Sequence, residues 1–155
     1  EEAVKGFVKM RETEGEKLKT DINGRTDFIL KNVAFIDERS PKTVAAYRER
    51  LEKKIKELLG DKTVDEQRLL TETAIFADKV AVAEETVRLK SHISQLTDLL
   101  YTGGAIGRKL DFIVQEMNRE TNTIGSKAQD AEITRAVVDM KSEIEKIREQ
   151  IQNIE

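Results

Sequence analysis

Residues 133–154 constrain this chain more than any other stretch. Ile133, Val137, Met140, Ile144, Ile147, Ile151 and Ile154 follow one another at intervals of 4, 3, 4, 3, 4 and 3. Apolar residues repeating in this way form one continuous seam along a helix, the a and d positions of a heptad. The segment is read as a helix of coiled-coil type that must bury its seam against other helices. The mixture of Ile, Val and Met does not fix the number of strands. The partner is either a second copy or the third helical segment of the same chain.

The rest of the chain also follows the helical period. A first helix is predicted over about Glu2–Asp37, with Leu18, Ile22, Ile29, Val33 and Ile36 on one stripe and a break near Gly15. Ser40 before Pro41 reads as an N-cap with proline at the first helical position. A second helix therefore occupies Pro41–Gly60 and turns Val44, Tyr47, Leu51, Ile55 and Leu58 inward. Thr63 and Glu66 have the spacing of a capping box ahead of a long third helix, about Val64–Tyr101. Its stripe runs Leu69, Thr73, Phe76, Val80, Ala83, Val87, then shifts to Leu89, Ile93, Leu96 and Leu100. Gly103–Gly104 ends it. A fourth helix covers roughly Ile106–Ile124.

No strand-like alternation occurs. The chain is 37% charged and 38% hydrophobic, with one Pro and no Trp, a composition of long helices. The third segment alone would span more than about 50 Å. The expected fold is all-α: an antiparallel helical bundle of about five helices with long members and a coiled-coil C-terminal helix, in a single helical domain over residues 1–155. Self-association would cover the surplus apolar stripes. Without cysteine there is no disulfide and no thiolate metal site. No apolar run exceeds four residues, which excludes a transmembrane helix or secretory signal in this chain. A net charge of −3 argues against a generic polyanion binder. A start at Glu1 rather than Met reads as a fragment or a processed form.

Three polar groupings are candidates for chemistry. On the fourth helix Leu110, Val114, Met117, Thr121 and Ile124 make a core face, while Arg108, Asp111, Gln115, Asn118, Arg119 and Asn122 form a ridge. Carboxamides compete for the backbone in a helix interior, so the ridge is either a solvated face, an interhelix hydrogen-bond seam, or a surface for a donor- and acceptor-rich ligand such as a phosphodiester backbone. On the third segment Asp78, Glu85 and His92 lie seven apart on one stripe. Seven residues rise about 10.5 Å, so these three cannot close on one ion, and any metal needs ligands from another helix or subunit. Carboxylates with an imidazole suit Mn²⁺ or Mg²⁺ better than structural zinc, although a lone helical histidine is more often structural or solvated. The glycines before Arg108 and Lys109 could offer backbone amides to a phosphate, and a helix cap explains them equally well. The Pro41–Gly60 segment has six Lys/Arg against three Glu, either a polyanion contact or a solvated face. No Ser-His-Asp or Cys-His pattern exists, so any chemistry is metal-assisted or acid–base work by carboxylates and His92.

The stretch "GRKLDFIVQEMNRETNTIGSKAQDAEIT" followed by "IEKIREQIQNIE" closely resembles the C-terminal signature of the YicC/YloC family of bacterial proteins. "AEETVRLKSH" resembles the family's second block and "MRETEG" its first. The resemblance covers the whole chain and corresponds to roughly the C-terminal half of a full-length member. It implies a metal-dependent endoribonuclease, cytoplasmic and assembled as a ring-like homohexamer. The matching positions are Arg11, Glu12, Glu14 and Gly15, then Glu84, Glu85, Arg88, Leu89 and His92, and in the terminal block Gly107, Arg108, Leu110, Asp111, Gln115, Glu116, Asn118, Arg119, Glu120, Asn122, Thr123, Ser126, Lys127 and Glu132. One departure is Ala81, where members carry Asp.

On this basis Glu85, His92, Asp111 and Glu116 are expected at the metal or proton-transfer site, with Glu85, His92 and Asp111 as metal ligands for Mn²⁺ or Mg²⁺. Arg88, Arg108 and Arg119 are expected on phosphate, and Gln115, Asn118 and Asn122 on RNA. RNA and further copies of the chain are the expected partners, with no membrane. The competing expectation is a helical oligomerisation and RNA-binding module without chemistry of its own.

Overall fold

The computed structural model describes residues 1–60, 62–104 and 106–154. It contains five helices: α1 (Glu2–Leu59), α2 (Glu66–Val80), α3 (Ala83–Thr102), α4 (Gly107–Lys127) and α5 (Ala131–Ile154). Among the described residues there is no strand. The all-α bundle expected from the sequence is the fold observed, but two helix boundaries differ.

The first difference is at Ser40–Pro41, where α1 continues without interruption. Proline's fixed φ is compatible with a helix. What it removes is one N–H and the hydrogen bond to the carbonyl four residues back, Asp37. Pro41 is exposed, so water can serve that carbonyl. Gly15 does not break the helix either, since its cost relative to Ala is only about 1 kcal/mol. The helix stops at Gly60, whose φ of 62° is a left-handed conformation that glycine adopts freely.

The second difference is inside the predicted long third helix, which is two helices separated by an extended Ala81 (φ −64°, ψ 121°) and Val82 (φ −121°, ψ 7°). The phase of the apolar stripe resets at this break. Leu69, Thr73, Phe76 and Val80 are buried on α2 and Leu89, Ile93, Leu96 and Leu100 on α3. Val87, expected inside, is 64% exposed. The cap of α2 is Asp65, which accepts the Arg68 amide at 3.1 Å, rather than the Thr63–Glu66 pair.

One core is shared by α3, α4, α5 and the middle of α1. It is built from Ile22, Ile29, Val33 and Ile36 of α1, Leu89, Ile93 and Leu96 of α3, Leu110, Met117 and Ile124 of α4, and the α5 seam. The seam residues Ile133, Val137, Met140, Ile144, Ile147 and Ile151 are all buried, while the side chain of Ile154 lies outside the described residues. Their partners are α4 and α1, not the predicted third segment. Burying each such side chain stabilises by about 1.5–3 kcal/mol. At Gly125 the α4–α5 contact is so close that a Cβ would meet Val137 Cγ1 at 3.0 Å.

Beyond Pro41, α1 pairs with α2 as an arm. Tyr47 stacks on Phe76 with ring centroids 3.8 Å apart, and Arg48 faces Glu66. Leu58, expected inside, is 79% exposed. At its other end α1 carries Val4, Phe7, Val8 and Met10 exposed. Among the described residues no helix is long and apolar enough to cross a membrane.

Candidate functional site

The α3–α4 interface gathers charge. The two helices pack against each other as consecutive elements, and each presents one polar line beside its core face. Glu85, Arg88 and His92 come from α3, and Glu116, Glu120 and Lys127 come from α4. Glu116 and Glu120 are four apart, one above the other on a helix. His92, Glu116 and Glu120 each place a ligand atom within 4.8 Å of the others. Glu120 is buried, while His92 and Glu116 are half-buried.

The neighbouring charges hold Glu120 and Glu85. Arg88 Nε donates to Glu120 Oε1 at 2.9 Å, and its other nitrogens lie 3.6 Å from Glu85 and Glu84. Lys127 Nζ donates to Glu85 Oε1 at 2.7 Å and to the Ala81 carbonyl at 3.2 Å. Burial acts to raise the Glu85 carboxyl, which is 3% exposed. The Lys127 hydrogen bond, a backbone amide and the charges of Lys127 and Arg88 outweigh it, so the group sits below the usual glutamate range. Among the described residues two buried side-chain polar atoms have no hydrogen-bond partner, Glu85 Oε2 and His92 Nδ1. A buried, unpaired polar atom costs about 1–3 kcal/mol, which is expected where a ligand completes the bonding.

An imidazole and two carboxylates are a donor set for Mn²⁺ or Mg²⁺. Three protein ligands leave coordination positions free for water or a phosphate oxygen. The residues present therefore fit such an ion, and the orphaned His92 Nδ1 is the observation that favours one.

The structure brings together His92 and Glu116, which were expected, with Glu120, which was given no role. Asp111 lies outside the trio. It is on the α4 ridge, roughly 140–180° around the helix from Glu116 and Glu120, and its carboxylate accepts from Gln115 Nε2 at 3.1 Å. Glu85 stands two turns from His92 and is engaged by Lys127. The signal that could have found Glu120 is its i,i+4 relation to Glu116.

The ridge faces solvent. Gln115, Asn118, Arg119 and Asn122 are exposed, as is Arg108, so the carboxamides do not form an interhelix seam. Gln115, Asn118, Arg119, Asn122, Thr123 and Ser126 line a shallow open groove of their own, about 100° around α4 from the trio. Neither Glu85 nor His92 lines it. The glycine loop before Arg108 includes Ala105, which lies outside the described residues.

Residues 36–155 match the family model described as endoribonuclease YicC-like, C-terminal. The chain is 53% identical over 156 residues to a probable endoribonuclease YicC from Clostridioides difficile (strain 630), covering 100% of this chain and 53% of that protein. It is 42% identical over 149 residues to a probable endoribonuclease YicC from Haemophilus influenzae, covering 96% of this chain and 51% of that protein. The chain thus spans about half the length of these curated relatives. With that match added to the helical bundle and the sequence blocks it carries, the chain belongs to the endoribonuclease YicC-like family, as its C-terminal region.

Proposed function

We propose that this chain is the helical part of a divalent-metal-dependent endoribonuclease, with His92, Glu116 and Glu120 as the ligands of Mn²⁺ or Mg²⁺. The observation that carries the reading is that those three side chains each bring a ligand atom within 4.8 Å of the others, and that the buried Nδ1 of the histidine has no hydrogen-bond partner among the described residues. When bound, such an ion would supply charge stabilisation to a phosphodiester and lower the pKa of an attacking oxygen. The chain's own residues do the rest. Arg88 holds Glu120 by one oxygen and leaves the other available. With its head half exposed, the same guanidinium can receive a phosphate oxygen. Arg108 and Arg119 flank the exposed amides of Gln115, Asn118 and Asn122, a combination suited to the phosphates and donor–acceptor edges of RNA. A metal set beside that ridge also reconciles a net-acidic chain with an anionic substrate.

The homo-oligomer implied by the family resemblance is supported by the exposed Val4, Phe7, Val8 and Met10 on the projecting end of α1. The cytoplasmic location belongs to the same reading. The test is RNA cleavage with Mn²⁺, with chelator, and with the His92→Ala and Glu116→Gln variants. Chelator-sensitive cleavage lost in both variants is expected. RNA binding without metal-dependent cleavage would favour a clamping module instead.

A further inference from the structure

The arm formed by the C-terminal part of α1 with α2 joins the four-helix body through two chain crossings, and both are weakened at the same level. In α1 the crossing is Pro41. On the body side α1 is anchored by Lys90 to Asp37 at 2.8 Å and by Arg39 to Asp130 at 3.1 Å. The proline then leaves the Asp37 carbonyl without its helical donor. The other crossing is the Ala81–Val82 break, where the Ala81 amide reaches only Asp78 O, at 3.4 Å. Between the two lies a recess of about 200 Å³ lined by Pro41, Val44, Ala77 and Val82 among others. Neither crossing carries an unbroken ladder of helix hydrogen bonds, which makes this level the candidate hinge of the arm.

The Ala81 carbonyl, freed by the break, is not left to solvent. It accepts from Lys127 Nζ at 3.2 Å, and the same ammonium is bonded to Glu85 at 2.7 Å. Glu85 faces Arg88 at 3.6 Å, and Arg88 grips Glu120 at 2.9 Å. A continuous line of charged contacts therefore runs from the hinge to the trio. Nothing in the local chain requires it. Lys127 is the last residue of α4 and is more than forty positions from both of its partners.

We infer that Lys127 is a positioning residue that couples the setting of the arm to the metal trio through Glu85 and Arg88. The inference rests on the metal reading above. Displacement of Ala81 by the arm moves the ammonium, and the ammonium is the only cation bonded to Glu85 within 3 Å among the described residues. By linkage the effect is reciprocal: an ion at the trio stabilises one setting of the hinge, and that setting strengthens ion binding by the same factor.

The test uses the 155-residue chain with Mn²⁺ as the probe. Amide hydrogen exchange is followed in residues 78–86 with and without Mn²⁺, and Mn²⁺ affinity is measured by calorimetry. In the parent chain Mn²⁺ slows exchange across the break. In Lys127→Met exchange there is roughly fivefold or more faster before any ion is added, Mn²⁺ no longer changes it, and Mn²⁺ affinity falls by a comparable factor. Lys127→Arg, which keeps the cation and its donors, restores the response. Glu85→Gln leaves the lysine free to hold Ala81 but removes the charge link, and it abolishes the Mn²⁺ effect. Equal slowing by Mn²⁺ in the parent and in Lys127→Met overturns the proposal. If circular dichroism shows Lys127→Met unfolded, an unchanged Mn²⁺ response in Glu85→Gln overturns it. A parent chain that binds no Mn²⁺ overturns the metal reading and the coupling together, and calorimetry on the parent alone separates that failure from a failure of the coupling.

Discussion

Arg39 of α1 holds Asp130, the residue before α5, through two parallel hydrogen bonds, Nε to Oδ2 and Nη2 to Oδ1, both 3.1 Å. The same carboxylate accepts the Ile133 amide at 3.1 Å. One side chain thus caps α5 and pins its start to the middle of α1, setting the register in which the α5 seam meets the core. The Arg39 hydrogen bond, opposed by burial and aided by the Ile133 amide, holds the Asp130 carboxyl below its usual range.

Asp130→Ala should lose at least the cap, about 1 kcal/mol, while Asp130→Asn keeps a cap and loses the charge. A carboxyl lowered in the folded state adds stability that is fully present above its unfolded value, about 3.9. That stability is lost as pH falls through the lower folded value. Urea denaturation should therefore show a gap between parent and Asp130→Asn at pH 7 that narrows below about pH 4. A gap independent of pH would mean the charge contributes nothing.

Mn²⁺ titration separates the two possible ligand sets. His92→Ala and Glu116→Gln should each weaken Mn²⁺ binding by about tenfold or more, and Asp111→Asn should leave it near the parent value. An Asp111→Asn loss as large as that of His92→Ala would return the metal to the residues expected from sequence.

The ridge makes a prediction of opposite character. Asn118 and Asn122 are exposed, so their replacement by Ala together should shift unfolding by no more than about 0.5 kcal/mol. RNA retention and cleavage by a full-length protein carrying the pair should fall. Unchanged RNA binding would make the ridge a solvated face.

Much of the fold was legible because burial leaves a periodic trace. The α5 seam and the α1 stripe from Ile22 to Ile36 are buried as their spacing requires. The breaks were not legible for physical reasons. Pro41 is a strong boundary signal only where its missing N–H matters, and here the proline sits on an exposed side of the helix. Ala81–Val82 lies in a run with no Gly or Pro, and only the change of stripe phase marks it. The candidate grouping was only half legible. His92 and Glu116 stand out as residue types, but Glu120 and Lys127 become neighbours of α3 only through the packing of α3 against α4, which spacing on one helix cannot reveal. Asp111 carried the same motif as Glu116 yet points to the other side of α4.

Gly125 offers a packing test. A side chain there meets Val137 Cγ1 at 3.0 Å, so Gly125→Val should destabilise by about 1–3 kcal/mol through overpacking. Val137→Ala in the same chain should recover part of that loss, a coupling readable by a double-mutant cycle in urea. Additive losses would show that α4 and α5 yield to each other without strain.

Pro41 also has a mechanical consequence. The helix beyond it is roughly 28 Å long, and it forms one arm with α2 through the Tyr47–Phe76 stack and the Arg48–Glu66 pair. Such a segment is a lever. A rotation of about ten degrees at the proline carries its tip through roughly 5 Å, while Ala81, close to the fulcrum, moves by a small fraction of that. On the coupling inferred above, a contact made at the far end of α1 would be geared down to a much smaller adjustment at the Ala81 carbonyl that Lys127 holds.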